Sequence, residues 1–303
     1  MKTNNMKTLK GIIPPLITPL HNENNIDDEG LAKLIEHVIS GGVHGMFLLG
    51  TTGEGPSLSG KLKYEMVEKS CKLIAERIPV LVGITDTSFS ESIRLAEHAA
   101  ECGADAVVLA PPYYFPTGQM ELLEYLKHLV PRLPLPMFLY NMPLMTKVDI
   151  EVGTLKKASE IDGIIGFKDS SGNMIRFHEY IQAMKNNPKF SLLIGPEELM
   201  AEAVIFGGHG GVNGGANLVP RLYVDLYNAA REKNIPEVLR LQNKVFNIRK
   251  IYSCGKYDSS LIKGIKCALK YMGICNDFMA EPFHSFRKAE REKVIKLCDE
   301  LLN

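Results

Sequence analysis

Eight short apolar runs, each followed by a longer amphipathic stretch, constrain this chain more than any other feature. They fall at 11–18 (GIIPPLIT), 45–50 (GMFLLG), 79–85 (PVLVGIT), 106–110 (AVVLA), 137–141 (MFLYN), 163–168 (GIIGFK), 191–195 (SLLIG) and 210–214 (GGVNG). Near-continuous apolar runs of this length suit strands buried on both faces, as in a parallel sheet. The stretches 28–40, 57–76, 88–102 and 118–131 read as helices. Ser57, Ser90 and Asp149 are the expected N-terminal caps, and Gly41-Gly42, Gly103 and Gly207-Gly208 the expected stops. Strand starts recur roughly every 20–35 residues, one βα unit each. The expectation is an α/β protein, a closed (β/α)8 TIM barrel, with a doubly wound open sheet as the rival. Beyond the eighth run the chain reads as helical to its end. Residues 1–225 are therefore expected to form the barrel, and 226–303 a C-terminal helical extension packed on it, not an independent domain.

Bulk composition narrows the function classes. Thirty-five basic and 35 acidic residues balance to a net charge of zero, so no basic face advertises itself for nucleic acid. The six cysteines form no CxxC pair and no zinc spacing, which suits free thiols in a reducing compartment. The N-terminal MKTNNMKTLK is polar, and no apolar run approaches the roughly 20 residues a bilayer needs. A cytoplasmic protein with no membrane and no metal partner is expected.

A barrel of this kind collects its reactive groups at the C-terminal ends of the strands. Those ends deliver GTTGEG (50–55), PPYYFP (111–116), YNMP (140–143), Lys168, GPEE (195–198) and the glycine-rich GGHGGVNGGAN (207–217). In IIGFKDSSG (164–172) an amine is brought to the mouth of an apolar core. Desolvation disfavours an ammonium, and a neutral amine attacks ketones to form a Schiff base. The protonated imine withdraws electrons from the neighbouring carbon, so carbon–carbon bonds can form or break without a metal. A lysine that snorkels or pairs with Asp169 is the structural alternative, though strand alternation turns Asp169 to the other face. The turn containing Gly50, Thr51 and Thr52 offers backbone amides and two hydroxyls, a receptor suited to a carboxylate; an ordinary capped turn is the alternative. Tyr140 ends the strand beside the lysine strand and could carry protons, or merely pack. Tyr113 and Tyr114 carry the same ambiguity. His209 suits a local hydrogen-bonding role.

Taken together, PPLITP (14–19), GTTGEGPSLS (50–59), PPYY (111–114), YNMP (140–143), GFKDSSG (166–172) and GGHGGVNG (207–214) resemble, in order and along nearly the whole chain, the dihydrodipicolinate synthase / N-acetylneuraminate lyase superfamily. The resemblance implies a (β/α)8 barrel with a C-terminal helical region, usually a tetramer built from tight dimers. It also implies a class I aldolase that forms a lysine Schiff base with pyruvate or its derivatives and needs no other cofactor. Lys168 matches the imine-forming lysine and Tyr140 the proton-shuttling tyrosine. Thr51 and Thr52 match the pair that holds the 2-oxo acid carboxylate. Thr51 also matches the relay hydroxyl between Tyr140 and a tyrosine from the neighbouring subunit, for which Tyr114 is the match. Val212 matches the residue whose carbonyl faces the substrate.

The departures bear on the substrate. Dihydrodipicolinate synthases carry an arginine five residues after the YN tyrosine, which binds the carboxylate of aspartate semialdehyde. Here Met145 stands there, and a thioether cannot make a bidentate charged contact, unless Lys147 substitutes. GTTGEGPSLS resembles the loop of 2-keto-3-deoxygluconate aldolases. GPEE resembles the loop that sialic acid lyases use for a polyol, so Glu197 and Glu198 are candidates to accept hydrogen bonds from sugar hydroxyls; glutamates favoured at a helix N-terminus are the alternative. The expected function is a Schiff-base lyase acting on a 2-oxo acid with a hydroxylated, sugar-acid-derived aldehyde. The rivals are 4-hydroxy-tetrahydrodipicolinate synthase, a dehydratase sharing the imine, and a non-catalytic barrel that binds a keto acid.

Overall fold

The structure, a computed structural model, describes residues 8–301. The expectation drawn from the polar N-terminus rests largely on residues outside that range. Eight parallel strands form one sheet: β1 (Gly11–Ile12), β2 (Met46–Leu48), β3 (Val80–Gly83), β4 (Ala106–Leu109), β5 (Met137–Asn141), β6 (Ile164–Asp169), β7 (Ser191–Ile194) and β8 (Gly210–Gly211). From β2 to β8 each pairs with the next, and β8 pairs with β1 through Gly11 and Gly210. The remaining seam closes where the chain beyond β1 meets β2: Pro15 bridges Phe47, and Leu16 N–H donates to the Phe47 carbonyl at 2.8 Å. The sheet is thus a closed barrel, with all eight expected runs supplying strands.

Helices follow the strands in turn: α1 (Asp28–Ser40), α2 (Gly60–Ile74), α3 (Phe89–Glu101), α4 (Gln119–Leu129), α5 (Val152–Ala158), α6 (Met174–Met184), α7 (Met200–Ile205) and α8 (Pro220–Arg231). A short antiparallel hairpin, Leu20–Asn22 with Asn25–Ile26, precedes α1 and was not anticipated. Three cap expectations need correction. Ser59, not Ser57, caps α2 by accepting from Leu62 N–H, because Pro56 draws Ser57 into a preceding 3-10 turn. Ser88 stands at the start of α3, leaving Ser90 inside it, and Glu151 stands at the start of α5. Asp149 instead accepts from the Asn141 side chain. The glycine stops are real: Gly42, Gly103 and Gly207 all have positive φ.

After α8 come α9 (Ile235–Ile248), α10 (Ser260–Tyr271) and α11 (Lys288–Leu301). A division at residue 225 would cut α8, which continues to Arg231; the break in the backbone lies at the following turn, where Lys233 has positive φ. Among the described residues no helix is long and apolar enough to cross a membrane.

Side-chain alternation splits the core into two layers. Met46, Val82, Val107, Leu139 and Phe167 point outward and pack under the helices. Ile13, Phe47, Leu81, Val108, Phe138, Tyr140 and Leu193 fill the barrel. Phe138 lies across from Gly166 on the neighbouring strand. A Cβ at Gly166 would come within 2.3 Å of the Phe138 ring, so the missing side chain makes room for the aromatic floor below Lys168.

Candidate active site

Above that floor the β5–β6 ladder sets Tyr140 beside Lys168 in direct register, both facing inward. Both residues are buried, each 6% exposed. The Lys168 Nζ lies 3.9 Å from the centre of the Tyr140 ring and 5.1 Å from that of Phe47. The amine is thus enclosed by aromatic faces. Asp169 points the other way, buried, and accepts hydrogen bonds from Asn141 and Ser171, so it does not pair with Lys168. Burial pushes its carboxyl above the ordinary value against those bonds.

Burial alone would push the Tyr140 phenol up. The Lys168 charge, with hydrogen bonds to Thr51, Ser170 and Lys168, more than offsets it, and the phenol lies below its ordinary value. The three expected residues Lys168, Tyr140 and Thr51 therefore converge. Ser170 joins them unanticipated. It stands two residues after Lys168 on the same face, and it occupies space that Gly195 leaves open: a Cβ at Gly195 would fall 2.0 Å from its Oγ.

Thr51 and Thr52 sit in a turn whose backbone is tightly held. Leu49 and Glu54, on either side, both adopt positive φ (58° and 59°) without being glycine. Such conformations persist where the surroundings over-determine them. Gly50 lies against the Phe47 ring, and a Cβ at Gly55 would strike the Leu49 carbonyl at 2.1 Å. The Thr18 hydroxyl donates to the Gly53 carbonyl at 2.6 Å. Glu54 is buried and forms an ion pair with fully buried Lys266 of α10, while Ala280 N–H donates to its other oxygen at 2.8 Å. Neither member of that pair was anticipated as part of this site, although Glu54 stands inside the quoted motif.

A cavity of about 230 Å3 opens over Thr51, Gly50 and Tyr140 and is bounded by Tyr113, Met142 and Met145. Lys168 does not line that cavity; its Nζ lies 3.9 Å from the centre of the Tyr140 ring, which does. Among the described residues Lys63 is the one charged side chain lining the cavity, and Asp86 faces it at 3.5 Å. Lys147 is exposed and outside the lining, so it does not supply the cation that Met145 lacks. Tyr114 is 73% exposed, stacks edge-to-face on Phe115 and does not line the cavity. Val212 is buried with the barrel interior and donates to the Ile194 carbonyl.

The glutamates of GPEE are elsewhere. Glu197 is buried, and its carboxylate accepts from the Gly215 N–H at 2.9 Å and the hydroxyls of Tyr223 and Tyr252 at 2.8 and 2.9 Å. Its expected place against sugar hydroxyls is corrected: the 3-10 turn Glu197–Leu199 aims it at α8 and the following helices, and these donors occupy both oxygens. Burial, offset in part by these donors, pushes its carboxyl up to about 7. Glu198 pairs with Arg249 at the surface and is likewise not in the cavity. His209 holds β7 by accepting from Leu192 N–H.

The model of the Dihydrodipicolinate synthetase family matches residues 8–301. The solved dihydrodipicolinate synthase of the commensal bacterium Bacteroides thetaiotaomicron is similar at 56% identity, over 98% of this chain and 100% of that one, with a TM-score of 0.95. YagE, an Escherichia coli K12 prophage protein of the dihydrodipicolinic acid synthase family solved in complex with pyruvate, is 27% identical over 97% and 98%, with a TM-score of 0.91. Among curated proteins, the E. coli K12 protein named Probable 2-dehydro-3-deoxy-D-pentonate aldolase YjhH is 31% identical over 85% of this chain and 86% of its own.

Proposed function

The chain belongs to the dihydrodipicolinate synthetase family and is a lyase, and we propose that it works through a pyruvate imine on Lys168. The observation that carries this reading is the enclosed Lys168 amine 3.9 Å from the Tyr140 ring, with the Thr51 hydroxyl on the same phenol. In the synthesis direction the amine adds to the C2 ketone and water leaves, giving an iminium. Tyr140, as phenolate, removes a proton from C3, leaving an enamine. The enamine carbon attacks an aldehyde, whose oxygen takes a proton from Tyr140, and water then releases the product and frees the amine. Cleavage runs the same steps in reverse. Thr51 and Thr52 hold the carboxylate, with the Gly50 turn and the Val212 carbonyl bordering the bound acid. The lowering of the Tyr140 phenol by the Lys168 charge and its hydrogen-bond partners suits a base in this step.

Thr51 passes the proton onward to the partner subunit's Tyr114. The exposure of Tyr114 outside its own cavity supports a homo-oligomer, a dimer of dimers in the family's manner. Six free thiols support a reducing, cytoplasmic setting. The residues after 225 act as one unit with the barrel, as their pairing with Glu54 suggests.

The acceptor we propose is a hydroxylated, sugar-acid-derived aldehyde. Met145 borders the cavity, and its one lining cation already faces Asp86, so a carboxylate-bearing aldehyde has no unpaired partner there. Hydroxyl recognition falls to groups such as Thr85 and Tyr113. The 56% identity to a solved dihydrodipicolinate synthase favours a second reading, condensation of pyruvate with aspartate semialdehyde.

Pyruvate with borohydride should leave a three-carbon adduct on Lys168, located by peptide mass spectrometry, and none in Lys168→Ala. An adduct of equal yield in the variant overturns the mechanism. A panel of aldehydes then separates the two acceptors: faster turnover of aspartate semialdehyde than of any hydroxylated aldehyde selects the second reading.

A further inference from the structure

We propose that Glu54 and Lys266 are positioning residues for the 2-oxo acid: their buried ion pair makes the C-terminal helices set the geometry of the carboxylate-holding turn. This rests on the preceding reading that Thr51 and Thr52 hold the carboxylate.

The pair stands where such control is needed. Glu54 ends the turn that begins at Gly50, two residues after Thr52, in a left-handed conformation disfavoured for a side chain bearing a Cβ. Something outside the turn must hold it there. The turn's own hydrogen bonds, Glu54 N–H to the Thr51 carbonyl and Gly55 N–H to the Gly50 carbonyl, are local; the Thr18 hydroxyl holds Gly53 from the β1 side, and Glu54 supplies the tie to the C-terminal helices. The Glu54 side chain leaves the turn on the side away from the cavity and meets Lys266, which no solvent reaches. The Lys266 ammonium donates also to the Phe278 carbonyl at 2.7 Å, and Ala280 N–H donates to Glu54. One carboxylate and one ammonium thereby tie the turn to both α10 and the 278–280 segment. That segment is itself anchored: Asp277 pairs with Lys270 and Arg291, and Asn276 N–H donates to Asp27 at 2.8 Å. A buried ion pair is no economical way to gain stability, since apolar replacements of like volume commonly do as well. Geometric specificity is the better account of its presence. Neither residue lines the cavity, so both act through Thr51 and Thr52 and not on the substrate.

The test uses the full-length enzyme and pyruvate as probe. The wild-type protein is first shown to trap pyruvate on Lys168 with borohydride; failure at this step counts against the proposed function and not against the ion pair. The pyruvate concentration that half-saturates trapping is then measured for Lys266→Met and for the double variant Glu54→Gln/Lys266→Met, alongside the thermal midpoint. The double variant leaves no unpaired buried charge, so it keeps the question answerable should Lys266→Met fail to fold. The expected result is a half-saturating pyruvate concentration raised about tenfold in both variants, the scale of a small misplacement of a binding group, while the double variant recovers most of the midpoint lost by the single one. Uncoupling of that kind is what a merely structural pair would not produce. Half-saturation within twofold of wild type in the folded double variant overturns the proposal, whatever the midpoint.

Discussion

Tyr140 is held between opposed influences, and Ser170 is the one most easily removed. In Ser170→Ala the phenol loses one of the hydrogen bonds that favour its ionised form, so its titration should move to higher pH by ultraviolet difference spectroscopy. Turnover near neutral pH should fall about five- to tenfold, the scale of one hydrogen bond worth about 1–1.5 kcal/mol. An unmoved titration would mean that Ser170 only packs against Gly195. Glu197 makes a second prediction at this scale. Its folded carboxyl lies at about 7, above the ordinary value of 4.5, so the native state binds its proton more tightly than the unfolded chain. Its contribution to stability is fully present below about 4.5 and is lost as pH rises through about 7. Relative to Glu197→Gln, the wild-type protein should lose stability between pH 5 and 8, read from thermal midpoints across that range. Strand period put Lys168, Tyr140 and Thr51 at the ends of strands, but it left packing alternatives open for each, and only the combination of motifs in the family's order singled them out. Ser170 was equally legible by the same period, standing at i+2 from Lys168. Glu197 was not, since which way a short turn aims a side chain depends on helices far along the chain.

At the level of elements, the barrel floor depends on one absent side chain. Gly166→Ala should push a methyl into the Phe138 ring and cost about 1–3 kcal/mol, measured by denaturant unfolding. Phe138→Leu in the same chain should recover part of the loss, because it vacates the space that the methyl needs. Seven strands could be read from the sequence because burial on both faces leaves short, near-continuous apolar runs, whereas the eighth, Gly210–Gly211, is glycine-rich and followed from the spacing of the others. The caps were placed two residues off at α2, α3 and α5 for a local reason. Several hydroxyl or acidic residues lie within one turn of each start, as Ser57 and Ser59 do, and a proline or a backbone angle decides among them. The hairpin at 20–26 was missed because its strands carry too few apolar residues to register as a run.

The whole molecule is bound together by contacts that no local pattern announces. Glu54 and Lys266 lie far apart in the chain, and nothing in either neighbourhood names the other. Breaking the pair with Lys266→Met should cost about 3–5 kcal/mol, because it leaves a carboxylate buried without its counter-charge; a calorimetric midpoint close to wild type would contradict this. At the same scale, Tyr114 is 73% exposed, and the proposed relay takes it from a second copy of this chain. Copies carrying Tyr114→Phe co-expressed with copies carrying Lys168→Ala should, in purified hybrids, show activity that neither has alone; inactive hybrids count against the relay. The barrel seam has a consequence of its own. The segment 11–17 meets β8 through Gly210 and Gly211, meets the chain at β2 through His44 and Phe47, and is latched by buried Asn217, whose side-chain oxygen accepts from Ile17 N–H and whose amide donates to the Pro15 carbonyl. During synthesis, therefore, the edge of β1 that pairs with β8 must wait until residues 210–211 have been made. A nascent chain stalled before residue 210 holds an open, unlatched sheet, a form to which chaperones would bind and which proteases would cut.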